Sequence, residues 1–152
     1  MMKPSLEFLC DIECVLAAPI EVGPTPSGLR RVVDILEGTF KGPMLQGTIL
    51  PGGADWQILR NDGVAELQAH YMLRTSDGVL IQVRNRGLRH GPDDVLRRIA
   101  EGAQVDPAEY YFRATPLLEA PAGKYEWLNR SVFVATAARS ANAVQIQIFR
   151  VC

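Results

Sequence analysis

The sequence predicts a mainly β protein, an antiparallel sheet rolled into a closed or nearly closed barrel of 8 to 10 strands with one short helix. Three observations carry this. Apolar and polar residues alternate with a period of two through most of the chain, the period of half-buried strands. The segments are joined by short turns rich in Gly, Pro, Asn and Asp. Only one stretch has the end charges of a helix, and closure is the natural way for so many strands to hide their edges.

The first strand reads from Leu6 to Leu16, with Leu6, Phe8, Cys10, Ile12, Cys14 and Leu16 on one apolar face. Pro19, Gly23, Pro24, Pro26 and Gly28 predict a stiff loop. Leu29–Leu36 also fits a helical stripe, but Val32, Val33 and Ile35 are β-branched and favour a strand. A turn-rich passage, Glu37–Pro43, follows, then a strand over Met44–Leu50, a glycine-rich loop over Pro51–Trp56 and a strand over Trp56–Arg60. Asn61-Asp62-Gly63 marks a tight hairpin.

The next hairpin has a readable register. With a three-residue loop, Ser76–Gly78, Leu73 faces Ile81, Tyr71 faces Val83 and Ala69 faces Asn85, so apolar meets apolar. A two-residue loop would mix the faces. Gly78 then takes a positive φ, and Asn85 is the polar residue ending the apolar face. Asp93–Glu101 has acids in its first turn and arginines in its last, as the helix dipole favours. Asp106-Pro107-Ala108-Glu109 predicts a single helical turn. Strands resume over Tyr110–Leu118, Ser131–Arg139 and Ala143–Val151, the last two joined by a turn at Ser140–Asn142.

A chain of 152 residues predicts a single barrel domain, 1–152, with a continuous core. Sixteen Lys and Arg against 17 Asp and Glu give a net charge of −1, which argues against nucleic acid as partner. Cys10, Cys14 and Cys152 are an odd number without a pairing pattern, so reduced thiols are expected. No signal peptide and no membrane-length apolar run is evident, so the sequence predicts a cytoplasmic protein with no membrane partner.

Candidate chemistry centres on a few residues. Asp55 is either a hydrogen-bond acceptor for its own loop or a general base at the barrel mouth beside Trp56. Asn85 on a core face needs partners or a ligand. Tyr111 and Arg113 share one strand face, and an arginine inside a barrel suits a carboxylate or an enolate oxygen, although a structural ion pair is an equal alternative. Arg84, Arg86, Arg89, His90, Arg97 and Arg98 read as a solvated basic face. The expected cofactor set is empty, since no two-histidine metal spacing, phosphate loop or dinucleotide fingerprint occurs.

Gly38-Thr-Phe-Lys-Gly-Pro43, Leu50-Pro-Gly-Gly-Ala-Asp-Trp56, Asp62-Gly63, Asp77-Gly78, Asn85-Arg-Gly87, Tyr111-Phe-Arg113 and Tyr125-Glu-Trp-Leu-Asn129 run in order along nearly the whole chain. In these segments the chain resembles the uncharacterised bacterial family called domain of unknown function 3237. The resemblance implies a lipocalin-like β-barrel and a homo-oligomer, and it brings no established activity. It adds Trp127 and Asn129 to Asp55, Trp56, Asn85 and Arg113 as residues of a shared cavity. The leading functional expectation is a barrel that binds a small carboxylated or aromatic metabolite, with Trp56, Asn85, Tyr111, Trp127 and Asn129 as ligand contacts. The alternative is a cofactor-independent isomerase, lyase or hydrolase in which Asp55 moves a proton and Arg113 steadies an oxyanion. A third is a regulatory interaction scaffold.

Overall fold

The structure is a computed structural model describing residues 1–152. Its strands are β1 (Leu6–Leu16), β2 (Ile20–Thr25), β3 (Gly28–Lys41), β4 (Gln46–Ile49), β5 (Gly53–Leu59), β6 (Ala65–Thr75), β7 (Leu80–His90), β8 (Tyr111–Glu119), β9 (Val132–Arg139) and β10 (Ala143–Val151). Helix α1 spans Asp93–Ala100, and 3-10 turns occupy Pro107–Glu109 and Glu126–Arg130. β1, β10, β9, β8, β7 and β6 pair in succession, β4 and β5 share one place between β6 and β3, and β3 returns to β1. The result is a closed antiparallel barrel of eight strand positions, with β2 attached outside the ring to β3. Every strand in the ring has neighbours on both sides, the shortest seam being β8–β9, which is paired at Arg113–Thr136 and Ala114–Ala135.

The β6–β7 hairpin has the register expected from the sequence. Leu73 pairs with Ile81, Tyr71 with Val83 and Ala69 with Asn85, and the Thr75 amide closes the loop on the Val79 carbonyl at 2.9 Å. Gly78 has φ 86°. At the far end of the barrel the Tyr125 hydroxyl donates to Asp77 at 2.9 Å, tying this loop to the Glu126–Arg130 turn, whose Leu128 plugs the core.

Four segments differ from expectation. In β1 a bulge between Phe8 and Cys10 turns Leu9 into the core and leaves Leu6 and Phe8 exposed. Pro19–Gly28 contains β2, which forms a hairpin with β3 around a register shift between Glu21 and Gly23. The passage Glu37–Pro43 is strand as far as Lys41 because β3 is held by β1 on one side and β4 on the other. Gly38 marks a close approach rather than a turn: a Cβ there would lie 2.2 Å from the Glu13 carbonyl oxygen. The glycine-rich loop is also shorter than expected, since β5 begins at Gly53.

Inward positions of β1 carry Cys10, Ile12 and Cys14, all at 2% exposure or less. Burial pushes both thiols up to about 12, so they stay protonated and inert at neutral pH. Cys152 is exposed. A thiol-reactive dye added to native protein should therefore label one cysteine per chain rapidly, with the other two reacting only on denaturation. Rapid labelling of all three would mean that β1 does not face the core.

Candidate functional site

Pairing across the ring aligns inner side chains in rungs. Val33, Asp55, Ala69, Asn85 and Pro116 form one rung, and Arg31, Gln57, Leu67, Gly87 and Ala114 form the next. Leu29, Leu59, Ala65, Arg89 and Phe112 form a third. Ala69, Gly87, Ala114 and Ala137 are too small to fill the space between them, and a cavity of about 50 Å³ remains. One water needs roughly 10–15 Å³ by this measure, so the space admits a few waters or the head of a small organic molecule. Asp55, Arg31 and Arg139 are only half-buried, which opens this end to solvent.

Local sequence explains how Asp55 arrives there. Gly52 turns the chain with φ 101°, and Gly53 lets β5 lie against β6, because a Cβ would sit 2.5 Å from the Tyr71 Cβ. Alternation then sends Asp55 and Gln57 inward and Trp56 outward.

The Asp55 carboxylate accepts from the Gln57 side-chain amide at 2.7 Å and from the Gln68 backbone amide at 3.0 Å. Gln57 in turn accepts from Arg31 Nε at 2.6 Å. Although the residue keeps some surface at the mouth, its carboxyl group lies among inner side chains, and burial pushes its pKa up. The Gln57 and Gln68 hydrogen bonds and the charges of Arg89 and Arg31 oppose that shift without cancelling it. Around the same cavity the Tyr71 hydroxyl and the Asn85 carbonyl oxygen are buried without a protein partner. Burial also holds the Tyr71 phenol far above its ordinary pKa, so it stays a neutral donor. Arg89, 8% exposed, lies over the Phe112 ring at 5.5 Å, and Arg139 Nη1 donates to the Ala143 carbonyl at 3.0 Å. No three His, Cys, Asp or Glu side chains converge in a metal-binding group.

Of the residues singled out from sequence, the fold brings Asp55 and Asn85 together at this cavity. Trp56, Tyr111 and Arg113 project from the outer face because their strand neighbours Gln57, Phe112 and Ala114 take the inward positions. Arg113 stacks on Tyr111 at 5.2 Å and donates to the Phe112 carbonyl at 2.9 Å. Trp127 lies in the Glu126–Arg130 turn under Arg150, at 5.7 Å. Asn129 is occupied twice by Ala120, accepting from its amide and donating to its carbonyl, each at 2.8 Å. These five do not line the cavity around Asp55.

Arg89 does line it, contrary to its reading as part of a solvated basic face. The period-two count Asn85, Gly87, Arg89 carries the signal, since β7 runs on through Gly87 to His90. Gln57, Tyr71 and Arg139 line it as well, although no motif in the sequence marks them. Gln57 and Tyr71 follow from the rungs, and Arg139 ends a strand whose inner face is otherwise Phe133, Ala135 and Ala137.

Fold and site together define a small antiparallel barrel with an apolar floor and an ionisable, hydrogen-bonding lip. The chain belongs to the family described as protein of unknown function (DUF3237), whose model matches residues 4–151. It is 39% identical over 152 residues to the UPF0311 protein RPA1785 of Rhodopseudomonas palustris, covering 99% of each chain. The crystal structure of that protein superposes with a TM-score of 0.94 at 36% identity, covering all of both chains. A crystal structure of a β-barrel-like protein from Acinetobacter baumannii matches at a TM-score of 0.88 and 39% identity, over 100% of this chain and 98% of that one. A more distant similarity, 29% over 80 residues and 53% of each chain, links it to the hydroalkoxylation enzyme phnH of Penicillium herquei.

The raised pKa of Asp55 has a stability consequence. The folded state holds this proton at pH values where the unfolded chain has lost it. The associated stabilisation is complete below the ordinary value of 3.8 and is lost as pH rises through the folded-state pKa. Asp55→Asn cannot ionise, so its melting temperature relative to the native protein should rise by a few degrees between pH 4 and pH 8. A difference that stays flat or falls with pH would contradict the burial of this carboxyl group.

Proposed function

We propose that this protein is an enzyme that moves protons on a small organic molecule, aromatic or carboxylated, held at the open end of the barrel. Asp55 is the acid or base. Tyr71 donates a hydrogen bond to the reacting oxygen, and the Asn85 carbonyl oxygen accepts one from an O–H or N–H of the substrate or of a bound water. The observation that carries this reading is the convergence of a carboxyl group with a raised pKa and two buried, unpartnered polar atoms on one cavity.

The chemistry follows from each environment. Burial raises the Asp55 pKa and so makes its carboxylate a stronger base than an exposed one, the direction that favours proton transfer by this group. Gln57 and the Gln68 amide fix its oxygens, so it keeps one orientation through the cycle. Tyr71 donates to a substrate oxygen without itself ionising. The distant relative named a hydroalkoxylation enzyme supports the class of reaction. Adding an O–H group across a carbon–carbon double bond also takes a proton from oxygen and gives one to carbon. For this chain the proposal is limited to proton transfer at carbon or oxygen.

A second reading is ligand binding without turnover. The apolar floor of Leu67, Phe112, Val144 and Ile146 favours it, because such a floor holds an organic body whether or not chemistry follows.

The test is proton exchange in D₂O, followed by NMR, on a panel of enolisable aromatic ketones with and without a carboxylate, phenylpyruvate among them. The native protein should accelerate deuterium incorporation into at least one member. Asp55→Asn should lose roughly 100-fold or more of that rate while keeping the ligand-induced thermal shift. Incorporation no faster with native protein than with Asp55→Asn across the panel overturns the enzymatic reading in favour of the second.

A further inference from the structure

We infer that Arg89 and Arg139 form a seat for the negatively charged head of the substrate, so that the molecule this barrel takes is a small organic anion, a carboxylate or an equivalent oxyanion. This deepens the reading of the cavity as a proton-transfer site and rests on it.

The argument begins with a count of charges. Among the side chains lining or bridging to the cavity, Arg31, Arg89 and Arg139 are cationic and Asp55 is the one acid. Glu13 on β1, Asp34 on β3 and Glu66 on β6 occupy outward positions of their strands and do not line it. None of the three arginines has a carboxylate within 4.0 Å, and the ion pairs of this protein all lie elsewhere. The site therefore holds more positive than negative charge in either protonation state of Asp55.

The cations differ in what occupies them. Arg31 is committed to Gln57, and through it to Asp55. Asp55 already has both oxygens engaged, one by Gln57 and one by the Gln68 amide. Arg139 gives one Nη1 donor to the Ala143 carbonyl, which leaves its fork largely free. The Arg89 side chain lies on the face of Phe112 and makes no hydrogen bond or ion pair within 4.0 Å, the Asp55 charge acting on it only from farther away. Burial, with repulsion from Arg31 and Arg139, lowers it to about 10, which still leaves it charged at neutral pH.

A buried guanidinium without a carboxylate partner is costly to the fold. A planar fork of N–H donors matches the two oxygens of a carboxylate, and an anion placed between Arg89 and Arg139 removes the repulsion that now acts between them. Phe112 beneath Arg89, with Val144 and Ile146 beyond, gives the attached organic body an apolar wall. Asp55, which lines the same hollow two rungs along the barrel from Arg89, then meets the uncharged part of the ligand. That division lets one carboxyl group move a proton while another is held.

The test uses unreactive probes, benzoate and its neutral isostere benzamide, titrated calorimetrically into the intact protein at fixed ionic strength. Benzoate should bind at least roughly tenfold more tightly than benzamide. Arg89→Met should weaken benzoate by a similar factor and Arg89→Lys by less. Arg139→Gln, at a half-buried position, is the second variant should Arg89→Met fold poorly. A merely structural arginine would destabilise the protein on removal, whereas relief of an unpaired buried cation should make Arg89→Met melt higher while binding more weakly. Equal binding of benzoate and benzamide, no benzoate binding at all, or native benzoate affinity in both Arg89→Met and Arg139→Gln would overturn the inference. Asp55→Asn should bind benzoate at least as well as the native protein. Failure of the deuterium exchange with benzoate binding intact would thus remove the enzymatic reading and leave the seat standing.

Discussion

The site depends on one constraint, the closure of the ring by β1 and β3. Once closed, the pleat sends every second side chain of every ring strand into a shared interior. An inward polar residue is then partly or wholly withdrawn from water whatever its chemistry, least so at the open end. Asp55, Asn85, Tyr71 and Arg89 carry perturbed or unpartnered groups for this reason rather than through any local motif.

Closure alone would give a filled barrel. The hollow arises because Ala69, Gly87, Ala114 and Ala137 fall on neighbouring inward positions, where larger side chains would meet. At the opposite end Leu73, Ile81, Val83 and Leu118 close the interior, and Leu128 seals it from below. The barrel is thus packed as core at one end and left open and polar at the other. The Gln57 bridge sits at the open end, holding Arg31 and Asp55 2.6 Å and 2.7 Å from its two side-chain heteroatoms.

Much of this was legible in the sequence, and the reasons for the rest are physical. Alternation fixed the β6–β7 register, and with it the inward placement of Asn85 opposite Ala69. The end charges of Asp93–Ala100 located the helix. Trp56, Tyr111 and Arg113 drew attention by residue type, but their parity along β5 and β8 puts them outside. Arg89 escaped because Gly87 resembles a strand end, whereas here it is a gap in a continuing strand. Glycine reads as a turn when only neighbours along the chain are known. At Gly38, Gly53 and Gly87 it instead answers to another strand or side chain close by, which no local reading contains.

The central claim is that the Asp55 carboxyl group lies inside the barrel and is held back from ionising by burial. Its most direct test is a titration of the aspartate side-chain carboxyl carbons by ¹³C NMR, with Asp55→Asn to assign the resonance. The account predicts that the signal missing from the variant titrates clearly above the ordinary value of 3.8. A midpoint at or below that value would place the group in water or in an ion pair, and would contradict the account.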